Sequence, residues 1–291
     1  MTTKAPKSDQ EFGFLPNVGD IKANLPLQIL PGLVFRAAEQ EERVQIMNFV
    51  AETNPHGDDT YAGATVFVIA ATTPTELTAD ILDALLVHEK DLGITLRIEG
   101  VHTAEVHVDM LAQAISVMML EKSPTHTLDE GDAKELAELH SLIGTNRNAV
   151  PQFARALSEF RSIGALPWYS PLRILAYFAI IESILARKPR PTDPSDSIGR
   201  QIRGKLTLLG RRFAIPLDDK KVFPGLDAKA VWDKLYTYRS DIAHGNEPDF
   251  KKNLRGLVDP NLIHDFLRTV TRRLLAHCLR EPILVRDLYD C

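Results

Sequence analysis

Cysteine is scarce in this 291-residue chain, with only Cys278 and Cys291 present. Two cysteines cannot build a disulfide framework, and their spacing fits no metal-ligand pattern. Cys278 reads as a small core residue and Cys291 as a frayed terminal thiol. Long hydrophobic runs are also missing: no window approaches the roughly eighteen apolar residues of a membrane-spanning helix. The segment from Met1 to Lys7 is polar and no apolar signal-peptide core follows it, so a cytoplasmic protein is expected. Phosphate- and nucleophile-binding signatures are absent too. There is no Walker A motif, no Gly-rich dinucleotide turn after a strand, no Gly-x-Ser-x-Gly elbow and no His-Glu-x-x-His. These absences remove the sequence support for a P-loop NTPase, a nicotinamide enzyme, an α/β-hydrolase or a zincin. No cofactor is expected. Internal repeats and low-complexity tracts are lacking as well.

What is present is ordinary globular composition, 44% apolar and 25% charged, enough chain for one large domain or two ordinary ones. The net charge of −5 hides an asymmetry. Residues 1–150 hold 10 Lys+Arg and 23 Asp+Glu, a net of −13, and residues 151–291 hold 24 and 16, a net of +8. Such a split points to separate roles for the halves. The basic half could meet a polyanion, or simply solvate its outer faces with arginine.

The periodicity predicts an α+β protein. Residues 1–24 read as a flexible arm, 25–140 as a mixed α/β domain and 141–291 as an all-helical one. Within the first, Leu25 to Phe35 reads as a short strand or extended loop. Ala37 to Glu52 reads as a helix with acids in its first turn. Ala64 to Ala71 reads as a buried strand. A helix capped by Thr75 and ended by Gly93 follows, then strands around Gly100 and a buried helix over Leu111 to Leu120. Strand signals stop there. Helices are predicted over Asp132 to Ile143, Val150 to Ile163, Pro171 to Leu185, Ser197 to Phe213, from Asp227 to the end of the Arg239–His244 segment, and from Pro260 or Asn261 to Arg280, the last helix of the chain. Lys188 to Asp196 and Ile215 to Gly225 read as loops.

The stretch Tyr236-Thr237-Tyr238-Arg239-Ser240-Asp241-Ile242-Ala243-His244-Gly245 concentrates a permanent cation, a carboxylate and an imidazole. Arginine can hold a phosphate bidentately, and an imidazole titrates near neutrality. Together they supply what cleavage of RNA by its own 2′-hydroxyl requires: a proton-transfer group and a fixed positive charge near the crowded phosphorus. That scheme needs no metal. On an ideal helix, five residues turn through about 140°, so the two side chains do not stack, although long side chains at a helix end can still converge on one cleft. Arginine and histidine before a glycine also suit a plain helix end.

The form Arg-Ser-x-Ile-x-His-Gly, as Arg239-Ser240-Asp241-Ile242-Ala243-His244-Gly245, resembles the signature of the HEPN superfamily and is most similar to its Apea-like branch. Two other blocks agree in order and spacing. Ala179 to Leu185 resembles that branch's apolar helix with an embedded glutamate, Glu182. Ser197 to Gly210 resembles its Arg-bearing helix before a Leu-Leu-Gly stop. The likeness covers roughly residues 145–285. It implies an all-α HEPN-like bundle of about four or five helices, commonly paired as a two-fold homodimer whose arginines and histidines share one cleft. It implies a metal-independent endoribonuclease, in toxin, antiphage or RNA-processing systems, or a relative that has lost activity and only binds RNA or partners; an antitoxin or regulatory partner is one such expectation. Carried over, Arg239 stabilises the scissile phosphate and His244 is the general acid or base. Asp241 orients the imidazole or tunes its pKa, and Ser240 and Tyr238 are weaker positioning candidates.

A carboxylate in the apolar helix of Glu182 is costly unless paired. Either a partner such as Arg239 or Arg203 resolves it, or Glu182 occupies an exposed point. Arg200, Arg203 and Lys205 on one helix, and Arg268 and Arg272 on another, could track an RNA backbone or could be a solvated face. His102, Glu105 and His107 do not make a metal site if their segment is a strand, because His102 and His107 then face opposite sides.

Overall fold

The computed structural model describes residues 11–15, 18–53, 65–71, 79–92, 96–98, 126–167, 170–190 and 197–291. The protein is α+β, an antiparallel sheet followed by helices. The chain divides into two compact units, Met1–Gly144 and Thr145–Cys291.

The first unit is built on a five-stranded antiparallel sheet. Its strands are β1 (Glu11–Phe14), β3 (Leu27–Leu30), β4 (Leu33–Ala37), β5 (Phe67–Ala71) and β6 (Leu96–Ile98), in the order β3-β4-β5-β1-β6. All five residues of β5 are buried, as suits the middle strand. α1 (Gln40–Thr53) places Ile46 in a cluster with Phe14, Val66, Val68 and Ala70. The Glu42 carboxylate fixes the start of α1, accepting from the Glu39 backbone N–H at 2.7 Å and from both terminal nitrogens of Arg36. A separate parallel pair joins β2 (Val18–Ile21) to β7 (His126–Leu128). α2 (Ala79–Val87) is followed by fully buried His88, whose Nε2 lies 3.2 Å from a Glu135 oxygen on α3 (Glu130–Asn146). α3 starts with a reciprocal cap: Asp129 Oδ1 accepts from the Asp132 N–H and Asp132 Oδ2 from the Asp129 N–H.

Three expectations change here. Residues 11–14 and 18–21 are strands and not part of a loose arm: β1 lies between β5 and β6, and Phe14 is buried. Its four residues are too few to show a period, and long-range pairing supplies the stability. Leu25 to Phe35 is two strands around a turn at Pro31-Gly32, with Gly32 at φ 80°. Strands also continue to His126–Leu128, where pairing with β2 again decides. The helix over 111–120, the cap at Thr75, the stop at Gly93, the turn at Gly100 and the residues His102, Glu105 and His107 lie outside the described residues.

The second unit contains α4 (Phe153–Ile163), α5 (Leu172–Leu185), α6 (Ile198–Leu209), α7 (Asp219–Val222), α8 (Ala228–His244), α9 (Pro260–Arg280) and α10 (Pro282–Asp290). α5 touches α4, α6, α8, α9 and α10. That central place explains an apolar composition nearly all round the helix. Phe178, Ile180, Ile181, Ile184 and Leu185 are fully enclosed, each contributing about 1.5–3 kcal/mol from burial. Aromatic rings join α8 to α9, with Trp232 and Phe223 both against Phe266 of α9. Side-chain caps start the helices where the sequence offers them: Ser197 for α6, Asp218 for α7, Asp227 for α8 and Asp259 for α9. α6 stops at Leu209 rather than Phe213. The expected loop at 215–225 holds the short α7. Arg280 does not end the last helix, because Pro282 starts α10 at a position where its missing N–H costs nothing. Among the described residues, no helix is long and apolar enough to cross a membrane.

Candidate active site

The helix that carries the Arg239–His244 segment is fixed at both ends by local chemistry. Asp227 accepts from the Ala230 N–H at 2.7 Å. Gly245 adopts a left-handed φ of 71°, a conformation that favours glycine. The Gly245 N–H then reaches the Ile242 carbonyl and the Asn246 N–H reaches the Asp241 carbonyl at 2.8 Å. This is a Schellman ending, so His244 is the last helical residue and its side chain sits on a defined terminus.

α8 buries Val231, Trp232, Leu235 and Tyr238. Arg239 lies at the edge of that face, next to α5. Its Nη2 is 3.4 Å from Glu182 Oε1 and 3.5 Å from Oε2. The guanidinium side chain is 30% exposed and the glutamate 19%. The contact is a loose ion pair: Arg239 Nε and Glu182 Oε1 are buried without a hydrogen bond among the described residues. Burial pushes the Glu182 carboxyl above its ordinary value, and the Arg239 charge only partly offsets this. On a second side, the guanidinium carbon lies 5.8 Å from the centroid of the Tyr236 ring, within cation–π range.

His244 is exposed and forms no hydrogen bond or ion pair among the described residues. On an ideal helix it stands about 140° around from Arg239. Asp241 and Ser240 are half-buried, and neither side chain reaches a partner among the described residues. The structure therefore does not bring Asp241 to His244. Tyr238 is buried, its ring edge-on to Phe250 at 5.5 Å, and burial pushes its hydroxyl up. Its ring packs on Phe250 in the connection that follows α8.

The basic residues separate into different environments. Arg200 is exposed at the start of α6, and Arg268 is half-buried. Arg203 forms an ion pair with Asp233 of α8. Lys205 and Arg272 are corrections to the expected RNA-binding face, because both are buried. The Lys205 ammonium donates to the Leu185 carbonyl at 2.8 Å and to that of Tyr289 at 3.5 Å. It closes the carboxyl end of α5 and cannot also meet a phosphate.

Sequence reasoning assigned no role to Tyr236 or Asp233. The i, i+3 spacing of Tyr236 and Arg239 was the available signal; the Asp233–Arg203 pair had none, since it crosses two helices. A further polar cluster was also missed. Tyr177 hydroxyl and Arg173 Nη1 lie 3.1 and 3.3 Å from His264 Nε2, and Arg173 also donates to the Leu166 carbonyl through Nε at 3.0 Å. Among the described residues, no three His, Cys, Asp or Glu side chains are grouped to hold a metal. No protein-family model, curated protein or solved structure matches this chain.

Proposed function

We propose that the helical unit is a metal-independent endoribonuclease of the HEPN type, close to its Apea-like branch, acting in the cytoplasm as a toxin or antiphage effector. The observation that carries this reading is the Arg239 guanidinium, held by Glu182 and Tyr236 yet 30% exposed, five residues before an exposed imidazole on a capped helix end. An arginine restrained on two sides keeps donors free for a phosphate. In the reaction, the RNA 2′-hydroxyl attacks the adjacent phosphorus. His244 takes the hydroxyl proton or delivers one to the departing 5′-oxygen, and Arg239 balances the charge that builds on the phosphoryl oxygens. The products are a 2′,3′-cyclic phosphate and a 5′-hydroxyl.

The angle between Arg239 and His244 on one helix means that one chain presents them on different faces. The reading is completed by a homodimer in which the two copies of α8 contribute to one cleft. An antitoxin or regulatory partner covering that cleft would then control it. A second reading, a non-catalytic module that binds RNA or protein, is favoured by His244 itself. No neighbour among the described residues fixes its tautomer, whereas a histidine working as acid or base is usually held by a second group.

RNA cleavage in EDTA separates the two. Wild type should cleave, and Arg239→Ala and His244→Ala should each lose about 100-fold or more. Intact RNA with wild type, or undiminished cleavage by His244→Ala, leaves the binding-module reading. Light scattering should give the mass of two chains; a monomer removes the shared cleft.

A further inference from the structure

Tyr236 meets no reacting atom in the chemistry just described, yet three elements converge on its ring. On α5, Phe178 meets it edge-on, with centroids 6.1 Å apart and planes at 79°. On α6, Gly199 lies directly against it: a Cβ at that position would stand 3.4 Å from Cγ, Cδ1 and Cε1 of the ring. On its own helix, one turn further along, the Arg239 guanidinium lies 5.8 Å from the ring centroid. The Arg203–Asp233 ion pair joins the same two helices one turn away, four residues along α6 and three back along α8. The α6–α8 seam is thus pinned on one side of the aromatic contact.

We propose that Tyr236 is a positioning residue for Arg239, and that the close approach at Gly199 sets where the ring, and hence the guanidinium, stands. The proposal rests on the ribonuclease reading for its kinetic consequence but not for the contact itself. Glu182 contributes a carboxylate at 3.4 Å with poor hydrogen-bonding geometry, which restrains the guanidinium's distance more than its plane. The ring supplies the missing orientation through its face. The face is what matters, so the hydroxyl is dispensable.

The test pairs kinetics with an NMR signal. Tyr236→Phe should keep cleavage within about two-fold of wild type, whereas Tyr236→Leu should lower kcat by about ten-fold or more with KM little changed, because a misplaced group acts on the transition state. Gly199→Val, whose γ-carbons grow from a position already touching the ring, should do the same while leaving Tyr236 in place. The Arg239 Nε–Hε resonance reports the ring directly: it should move in Tyr236→Leu and Gly199→Val and stay in Tyr236→Phe. Thermal unfolding of each variant checks folding. An unmoved resonance in folded Tyr236→Leu, or equal kcat loss in Tyr236→Phe and Tyr236→Leu, overturns the proposal. Absence of cleavage by wild type overturns the ribonuclease reading instead, and the resonance still decides the positioning role.

Discussion

The Lys205 ammonium donates to the backbone carbonyl of Leu185 at 2.8 Å, from a side chain that lies inside the helical unit. A cation at a helix carboxyl end satisfies an orphan carbonyl and meets the negative end of the dipole. The lysine therefore belongs to the fold and not to a surface for nucleic acid.

Lys205→Met keeps the aliphatic stem and removes the charge. It should destabilise the protein by about 1–3 kcal/mol, since a buried carbonyl loses its donor, and leave the salt dependence of RNA binding unchanged. Arg200→Ala, at an exposed position, should do the reverse, reducing the salt slope by about 0.7 with little change in stability. Urea unfolding and RNA titration at several salt concentrations measure both. A weaker salt slope in Lys205→Met would show that its ammonium reaches the ligand.

Glu182 separates stability from function. Its carboxyl is raised by burial despite Arg239. An acid whose folded value is raised contributes stability that is fully present below the unfolded value, near 4.5, and is lost as pH rises through the folded value. Glu182→Gln should therefore be as stable as wild type at pH 7, or more so by up to about 1 kcal/mol, with the advantage vanishing below pH ~4.5. Cleavage should still fall about ten-fold as Arg239 loses its restraint. Unfolding curves at pH 7 and 4 check the first part; a loss of several kcal/mol at pH 7 would contradict it.

His277 makes the opposite pH signature. It is buried, its ring edge-on to Phe213 at 5.5 Å. Burial lowers its value, with Arg212 and Arg280 acting in the same sense and Glu281 opposing. Below about pH 6.5 the unfolded chain takes up a proton that the folded chain resists, so stability falls as pH falls through that value. The wild-type stability advantage over His277→Gln should shrink between pH 7.5 and 5.5, by at most about 1.4 kcal/mol per pH unit. A constant difference across that range would refute the assignment.

The two cysteines should differ sharply towards a thiol reagent. Cys278 is fully enclosed on α9, and burial pushes its thiol far up, while Cys291 is exposed. Mass spectrometry of native protein should find one label, at Cys291, and a second only after unfolding. Labelling of Cys278 at the same rate would mean that α9 opens readily.

Much of the helical unit was legible because its signals are local. The Asp227 cap, the Gly245 stop and the apolar run of α5 each act within a few residues, and each element lies within a few residues of where those signals put it. The strands β1, β2 and β7 were not legible. Three or four residues carry no measurable period, and only their pairing across long stretches of chain holds them. Charge told least. Lys205 and Arg272 look like the less buried arginines near them in the sequence, Arg203 and Arg273, and only burial distinguishes them.

The Arg239–His244 segment combines both kinds of information. The sequence alone determined that it is the end of a capped helix and that its five-residue spacing keeps the two side chains from stacking, because helix geometry is local. Tertiary structure decided which residues hold Arg239. Glu182 and Tyr236 reach it from 57 and 3 residues away, and the packing of α5 and α6 against α8 turns those separations into neighbouring atoms.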